Sequence, residues 1–403
     1  MKRFFNNRDM WTPIWVVSIL VLTMVLIYVP TFSNIIGNIK DLPVLVVNED
    51  RGGKIKNESI NMGDMIESNL LTSAETKTLD WSSAETKQEA YELLNSGRAV
   101  AAIIIPKSYS ESVERIEKGL LLNQSGLEAA SMETIVNEAS GQSAAGIASQ
   151  MLSTVNNQMS NSMTDYLKKE LVTKQIQLSP ENALILAQPL VANQNVASTP
   201  LKDSGMTSFI LGLMMIIGGM LGSSLITGYV TGKERELQSM NQKRHHYAGL
   251  YAEYIYGGIL ALVLALIVMV AIFGFHKVAH TAGLIPIYFY LVLAMSTMFL
   301  LYTTFTLLVG AKWSLLINFP LNIMGIMASG GSISLYGLPF VVHVFSFFHP
   351  ARYIMDGLRS LVYYNGKVGT GLGKSIVVLF IYLAITTIST YMIYYQREPK
   401  LQK

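Results

Sequence analysis

Six separate runs of this chain are apolar over roughly the 20 residues a helix needs to cross the hydrocarbon core of a bilayer, and no other feature narrows the possible folds so far. A helix satisfies its backbone hydrogen bonds internally, so it is the form such a run takes in lipid. The runs fall at about Trp11–Tyr28, Thr207–Val230, Tyr254–Phe275, Leu284–Val309, Leu315–Ser334 and Ile376–Tyr395. The first lacks a small-residue cleavage site and reads as a retained anchor. The fifth is interrupted by Pro320, Gly330 and Gly331. Composition agrees: 51% of residues are hydrophobic and 14% charged, where soluble domains carry about 25% charged residues. With no cysteine, the chain has no disulfide framework, no thiolate nucleophile and no Cys-ligated metal. A net charge of +3, spread along the chain, gives no support to nucleic-acid binding.

Lys and Arg in short flanking segments set orientation, because such segments stay cytoplasmic. Lys2, Arg3 and Arg8 precede the first run; Lys233, Arg235, Lys243 and Arg244 lie between the second and third. Lys312 lies between the fourth and fifth, and Arg397, Lys400 and Lys403 follow the sixth. Alternation puts all of these on one side, so both termini are expected in the cytoplasm. Arg352, Arg359 and Lys367 weaken the bias locally. The expected fold is an α-helical membrane protein of six spans with an extracytoplasmic α/β domain inserted between spans 1 and 2. Its parts are 1–30 (N-terminus and span 1), 31–206 (the outer α/β and helical domain), 207–395 (a five-span membrane domain) and 396–403 (a cytoplasmic tail). Within the five-span part, 231–253 is a cytoplasmic connector and 335–372 an outer re-entrant segment.

Residues 31–206 are long enough for a domain of their own. "LPVLVVNEDRGG", Leu42 to Gly53, is an apolar, Val-rich run ended by turn residues and reads as a buried strand. "SSAETKQEAYELLNSGRAVAAIIIPKSYSESVERI" reads as helix, strand, helix: Ser82 with Glu85 has capping-box spacing, Gly97 supplies a stop, Val100–Ile105 form the strand and Ser108 starts the next helix. The alternation predicts a small mixed sheet with helices on it. SAETK occurs at 73–77 and 83–87, too few copies for a repeat fold. Ile147, Met151, Val155, Met159 and Met163 recur every four residues and draw an apolar stripe on one helix.

Candidates for chemistry are sparse. Glu49 and Asp50 end the first strand, where Asp is selected for turn hydrogen bonds in any case. His276 and His280 have metal-ligand spacing without a third ligand nearby, His245 and His246 adjoin basic residues, and His343 and His349 stand alone. No G-x-S-x-G elbow occurs. "VGTGLGKS", residues 368–375, resembles the end of a P-loop, but the first glycine of G-x-x-x-x-G-K-[ST] should fall at Val368. On the expected outer face, before a span, it reads as a flexible loop with Lys374 at the interface. The spans as bounded above carry essentially no charge, which argues against an ion-coupled transporter. They carry small and hydroxyl residues instead, among them Gly212, Gly218, Gly219, Gly222 and Ser223, and Asn318, Asn322 and Ser329. Such residues either pack helices closely or line a route for an amphipathic molecule.

One span, a large outer domain, five more spans and a charged connector between spans 2 and 3 resemble the ABC-2 type exporter permeases. The residues after the first span, "LPVLVVNEDRGG", and "EAYELLNSGRAVAAIIIPKSYSESV" resemble the outer domain of the YhgE/Pip (phage infection protein) branch. Gly337-Leu338-Pro339, then "FFHPARYIMDGLRSLVYYNG", are similar to the permease pattern before the last span. The resemblance implies a dimer of six-span subunits, homo- or heterodimeric, driven by a separate cytoplasmic ABC ATPase that binds the connector. It implies ATPase contacts for Glu234, Arg235, Gln238, Lys243 and Arg244. ATP would then be held by the partner subunit, with no cofactor, metal or catalytic residue in this chain. The outer domain is shorter than in the phage-infection proteins, which disfavours a receptor role.

The expected function is therefore an exporter permease, not an enzyme, set among lipids in the bacterial cytoplasmic membrane. It would move hydrophobic or amphipathic compounds (drugs, antimicrobials or lipids) outward. The rival is a non-transporting envelope protein, phage-receptor-like or a secretion-machine accessory, that displays the outer domain.

Overall fold

The computed structural model describes residues 39–55, 58–72, 78–198, 206–239 and 248–397; the first apolar run, Trp11–Tyr28, lies outside them. The chain divides into two units, Ile39–Pro200 and the remainder, and each is described by itself.

The first unit is built on a five-stranded mixed sheet in the order β4-β1-β5-β6-β7. Its strands are β1 (Leu42–Asn48), β4 (Leu79–Ala84), β5 (Ala101–Ile105), β6 (Ala130–Asn137) and β7 (Leu190–Ser198), with β2 (Gly53–Ile55) and β3 (Glu58–Ile60) forming a separate antiparallel pair. β1 pairs in parallel with β4 and β5, β5 antiparallel with β6, and β6 parallel with β7. β7 thus runs opposite to β1, and the chain enters and leaves the sheet at the same end. An unbroken apolar run suits a strand covered on both faces, and Val44, Val46 and Val47 of β1 and all of β5 are buried. The helices are α1 (Met62–Thr72), α2 (Lys87–Asn95), α3 (Tyr109–Leu121), α4 (Gln142–Thr173) and α5 (Pro180–Ala187). Ala90 and Leu94 of α2 pack with Leu45, Val47, Ala102, Ile104 and Ile135 of the sheet.

Two local expectations need correction. The cap of α2 is Thr86, whose side chain accepts the N–H of Glu89, while the Glu89 carboxylate accepts the N–H of Glu85. Ser82, expected to start that helix, is held extended in β4 opposite Leu45, because pairing with β1 carries the strand on to Ala84. The same S/T-x-x-E spacing then recurs four residues later and takes the cap. On α4 the buried line is Ala148, Leu152, Asn156, Ser160, Met163, Leu167 and Leu171. Ile147, Met151, Val155 and Met159 flank it, half-buried. The buried face sets Ala148, Asn156 and Ser160 among Leu152, Met163, Leu167 and Leu171, and an apolar count does not register its small and polar members.

In the second unit, among the described residues, four helices are long and apolar enough to cross a membrane: Thr207–Glu236, Ala248–Phe275, Leu284–Val309 and Leu372–Gln396. They are carried by α6 (Thr207–Ser239), α7 (Ala248–Met269, continued by a π turn over Val270–Phe275), α8 (Leu284–Val309) and α12 (Leu372–Arg397). The fifth expected span, Leu315–Ser334, is instead α9 (Ser314–Met327) of 14 residues. At about 1.5 Å per residue it reaches only about 21 Å, short of the roughly 30 Å of a hydrocarbon core. It holds Pro320 within it and is followed by a turn in which Gly330 takes φ +73°. Two shorter helices, α10 (Phe340–Phe348) and α11 (Pro350–Tyr363), come before α12.

α8 is the core of this bundle, with Leu291, Ala294, Met298 and Tyr302 fully enclosed. Small residues on α6 allow the approach. A Cβ at Gly219 would come 2.6 Å from the Met298 Cβ and 3.0 Å from its backbone carbonyl carbon, contacts that no rotamer change relieves. Gly219→Ala is expected to cost about 1–3 kcal/mol and to lower the melting temperature in detergent. Gly258→Ala, where a Cβ meets nothing within 4 Å, serves as the control; equal melting of the two variants would count against a close α6–α8 packing.

Candidate functional site

Beyond its apolar part, α6 continues as a helix through Thr231-Gly232-Lys233-Glu234-Arg235-Glu236 to Ser239. Lys233 and Glu236 form an ion pair at 3.0 Å along its surface. The start of α7 packs beside this extension, and between them lies a cavity of about 710 Å³ whose walls include Gly228, Tyr229, Gly232, Glu234, Gly249 and Tyr256. Gly249 lets the Glu234 carboxylate come close to α7: a Cβ there would fall 2.0 Å from the Glu234 Oε1 and 3.0 Å from the Tyr394 ring.

Of the residues expected to dock a partner, Glu234 lines this cavity and Arg235 is exposed one residue on. Gln238 stands on the last turn of α6. Lys243 and Arg244, like His245 and His246, lie outside the described residues.

The expectation of charge-free spans fails at Glu253. Helix α7 begins at Ala248, six residues before the apolar run, and so takes in Glu253, which is fully buried. Its Oε2 accepts the Thr227 hydroxyl of α6 at 3.1 Å, and its Oε1 has no hydrogen-bond partner among the described residues. An isolated carboxylate in such a place is costly and marks function more often than packing. A signal was present: Gly249, Glu253, Gly257, Ala261 and Ala265 recur every four residues and all face inward. Hydropathy alone began the span at Tyr254 and cut the series.

Deeper in the bundle a ladder of hydroxyls joins three helices. The Thr303 hydroxyl donates to Ser223 Oγ at 3.2 Å, Ser223 and Thr306 lie 3.4 Å apart, and Asn318 Nδ2 donates to Thr306 Oγ1 at 2.8 Å. Asn322 Nδ2 donates to the Ile216 carbonyl at 3.3 Å. Of the small and polar residues singled out in the sequence, Ser223 of α6 and Asn318 of α9 are thus joined through Thr306 of α8.

A bundle of this kind, with a buried polar seam and a long charged extension between its first two described spans, was compared with known proteins. The ABC-2 family transporter protein pattern matches residues 10–391, nearly the whole chain. The chain belongs to the ABC-2 transporter family. No curated protein and no solved structure matches it. As an ABC-2 family member it is the membrane component of an ABC transporter, a kind of component that works with an ATPase subunit and is not itself generally an enzyme.

Four of the other sequence candidates of this ABC-2 chain, His280, His343, His349 and Asp50, have local partners. His349 Nδ1 accepts the Ala351 N–H and caps α11, the His343 Nδ1 lies 3.1 Å from the Leu335 carbonyl, and His280 Nδ1 lies 2.6 Å from the Ala282 carbonyl. Among the described residues no three His, Asp or Glu side chains converge as metal ligands. Asp50 joins the starts of two helices: its Oδ2 accepts the Gly63 N–H (3.1 Å) of α1 and the Ser110 hydroxyl, and its Oδ1 accepts the Ser110 N–H (3.0 Å) of α3. Carboxylates are favourable at helix N-termini, and this one is spent on structure.

Asp50→Ala leaves three donors unanswered and is expected to destabilise the α/β unit by about 3 kcal/mol or more. Denaturant unfolding followed by Trp81, the only tryptophan of that unit, measures it in a chain whose other tryptophans are Phe; a loss below about 1 kcal/mol would contradict the assignment. Tyr109, beside this carboxylate, is pushed up to about 12 by burial and then by the Asp50 charge. The unfolded phenol ionises near 10 while the folded one stays neutral, so the unit loses about 2–3 kcal/mol as pH rises from roughly 10 to 12. The difference between the wild type and Tyr109→Phe across that window isolates this loss, and a flat difference would contradict it.

Proposed function

We propose that this ABC-2 family chain is the permease subunit of an exporter that moves hydrophobic or amphipathic compounds out across the bacterial cytoplasmic membrane, driven by a separate ATPase bound at the α6–α7 connection. The observation that carries the reading is the cavity beside the α6 extension, walled by Glu234 and bordered by the exposed Arg235, in a chain whose family supplies membrane components of ABC transporters. A helix that continues out of the bundle as one rigid rod can pass a push from a bound partner directly to the inner faces of α6 and α8. The hydroxyl seam of Ser223, Thr303, Thr306 and Asn318 supports a route for molecules with both apolar and polar parts. In this reading two such subunits, alike or different, make the transporter, both termini are cytoplasmic and residues 31–206 are an outer domain of the YhgE/Pip type.

Co-expression with a candidate ATPase tests the docking site. The combined change Arg235→Glu and Arg244→Glu is expected to reduce the ATPase recovered with the chain by about tenfold, the scale of one lost charge-assisted contact, without shifting the melting temperature. If no ATPase is recovered with the wild type and deletion leaves drug and lipid efflux unchanged, the envelope-protein reading takes its place.

A further inference from the structure

The near-P-loop stretch has a role that nucleotide chemistry does not supply. Val368–Thr370 make a single 3-10 turn, Gly371 takes the left-handed conformation at φ +107°, and α12 starts at Leu372, with Ser375 donating both its N–H (3.0 Å) and its hydroxyl (2.8 Å) to the Gly371 carbonyl. A left-handed residue at 371 favours glycine, and the chain there lies against Asp356, whose Cβ would be 3.5 Å from a Cβ at 371. The turn thereby sets Lys374 on the first turn of α12, its Nζ 5.8 Å from the Tyr353 ring centre on α11.

α11 is buried on nearly every side and shows one polar stripe, Arg352, Asp356 and Arg359, at i, i+4 and i+7. Asp356 is shared: Arg359 Nη1 is 3.4 Å from its Oδ1 and Arg352 Nε 3.9 Å from its Oδ2. Arg359 Nη2 also donates to the Gly330 carbonyl (3.0 Å), and Arg352 Nη1 to the Ser346 hydroxyl (3.2 Å). One carboxylate thus faces three cations. A guanidinium has five N–H donors, of which Arg352 uses one and Arg359 two. The Nε–H of each is buried without a hydrogen-bond partner among the described residues. Unanswered donors of this kind are costly, and an anion at the partly exposed side of the two guanidinium groups would balance the excess positive charge. Beside this stripe α10 presents an apolar surface: Phe340 and Phe348 are 80% and 70% exposed, and the Arg352 guanidinium lies over the Phe347 ring at 4.7 Å.

We propose that Arg352, Arg359 and Lys374 form a binding site for the phosphate of an anionic amphiphile, whose apolar part lies along α10. Guanidinium forks match phosphate oxygens in pairs, and the amino end of α12 adds its partial positive charge. The site lies at the end of the bundle where α6 and α12 begin, opposite the α6–α7 connection. It deepens the permease reading, on which it rests for the statement that such amphiphiles are the cargo class.

Native mass spectrometry of the full-length chain in detergent, offered phosphatidylglycerol and phosphatidylcholine in equal amounts, reads the preference directly. The wild type is expected to retain phosphatidylglycerol over phosphatidylcholine by about tenfold, the worth of one charge-assisted contact, and Arg352→Gln with Lys374→Gln is expected to retain both equally. If the double variant melts early, Lys374→Gln alone decides, since that side chain is exposed; it is expected to lose at least half of the preference. Equal retention by the wild type, or an unchanged preference in Lys374→Gln, overturns the site. Glycerol phosphate, which has the head and no tail, is expected not to displace the lipid at equal concentration; displacement would overturn the amphiphile assignment. ATPase recovery by the wild-type chain is measured in the same preparations. Lost lipid preference with intact ATPase recovery defeats this inference alone, and the converse defeats the permease reading alone.

Discussion

At position 219 a hydrogen atom is all that separates α6 from the backbone of α8. Two helices that touch at this distance are locked in register, because their side chains cannot slide past each other without opening the contact. Everything else in the bundle is arranged about that line. α8 becomes the enclosed core, its Thr303 and Thr306 come within reach of Ser223, and Thr227, farther along α6, meets Glu253 of α7. In lipid no hydrophobic gain drives such pairing, so close packing and interhelical hydrogen bonds must carry it. The same residues that look like weak points in a hydropathy profile are therefore the ones that hold the helices together.

Much of this was legible in the sequence, for identifiable reasons. Long apolar runs at Thr207, Tyr254, Leu284 and Ile376 can only be helices in a bilayer, and their existence needed no tertiary information. β1 and β5 were readable because a strand buried on both faces is an unbroken apolar run. What stayed hidden depends on pairing across distance. Strand pairing to β1, not local capping preference, decided that Ser82 stays extended and Thr86 takes the cap. Packing, not an apolar spacing of four, chose the line that α4 buries, in which Ala148, Asn156 and Ser160 stand among leucines and a methionine. The run from Leu315 to Ser334 has the composition of a span, but the helix ends after Met327 and a left-handed turn at Gly330 follows.

The candidate site was half legible. Charge marked the connector, where Glu234 lines the α6–α7 cavity and Arg235 is exposed beside it. Glu253 was missed because a hydropathy window treats one acid as an edge, whereas a helix treats it as the next step of an i, i+4 face. VGTGLGKS reads in the sequence as a flexible loop with Lys374 at the interface, and the contact made by that lysine was not legible there. Its glycine turn brings Lys374 beside Tyr353 of α11, a placement that depends on how α11 and α12 pack against each other.

The antiparallel course of β1 and β7 brings the two ends of the α/β unit out together. Strands or helices can then be added to or removed from the far side of this unit without changing the gap between the points where its chain enters and leaves. A unit closed in this way can vary widely in size while its two ends keep one spacing.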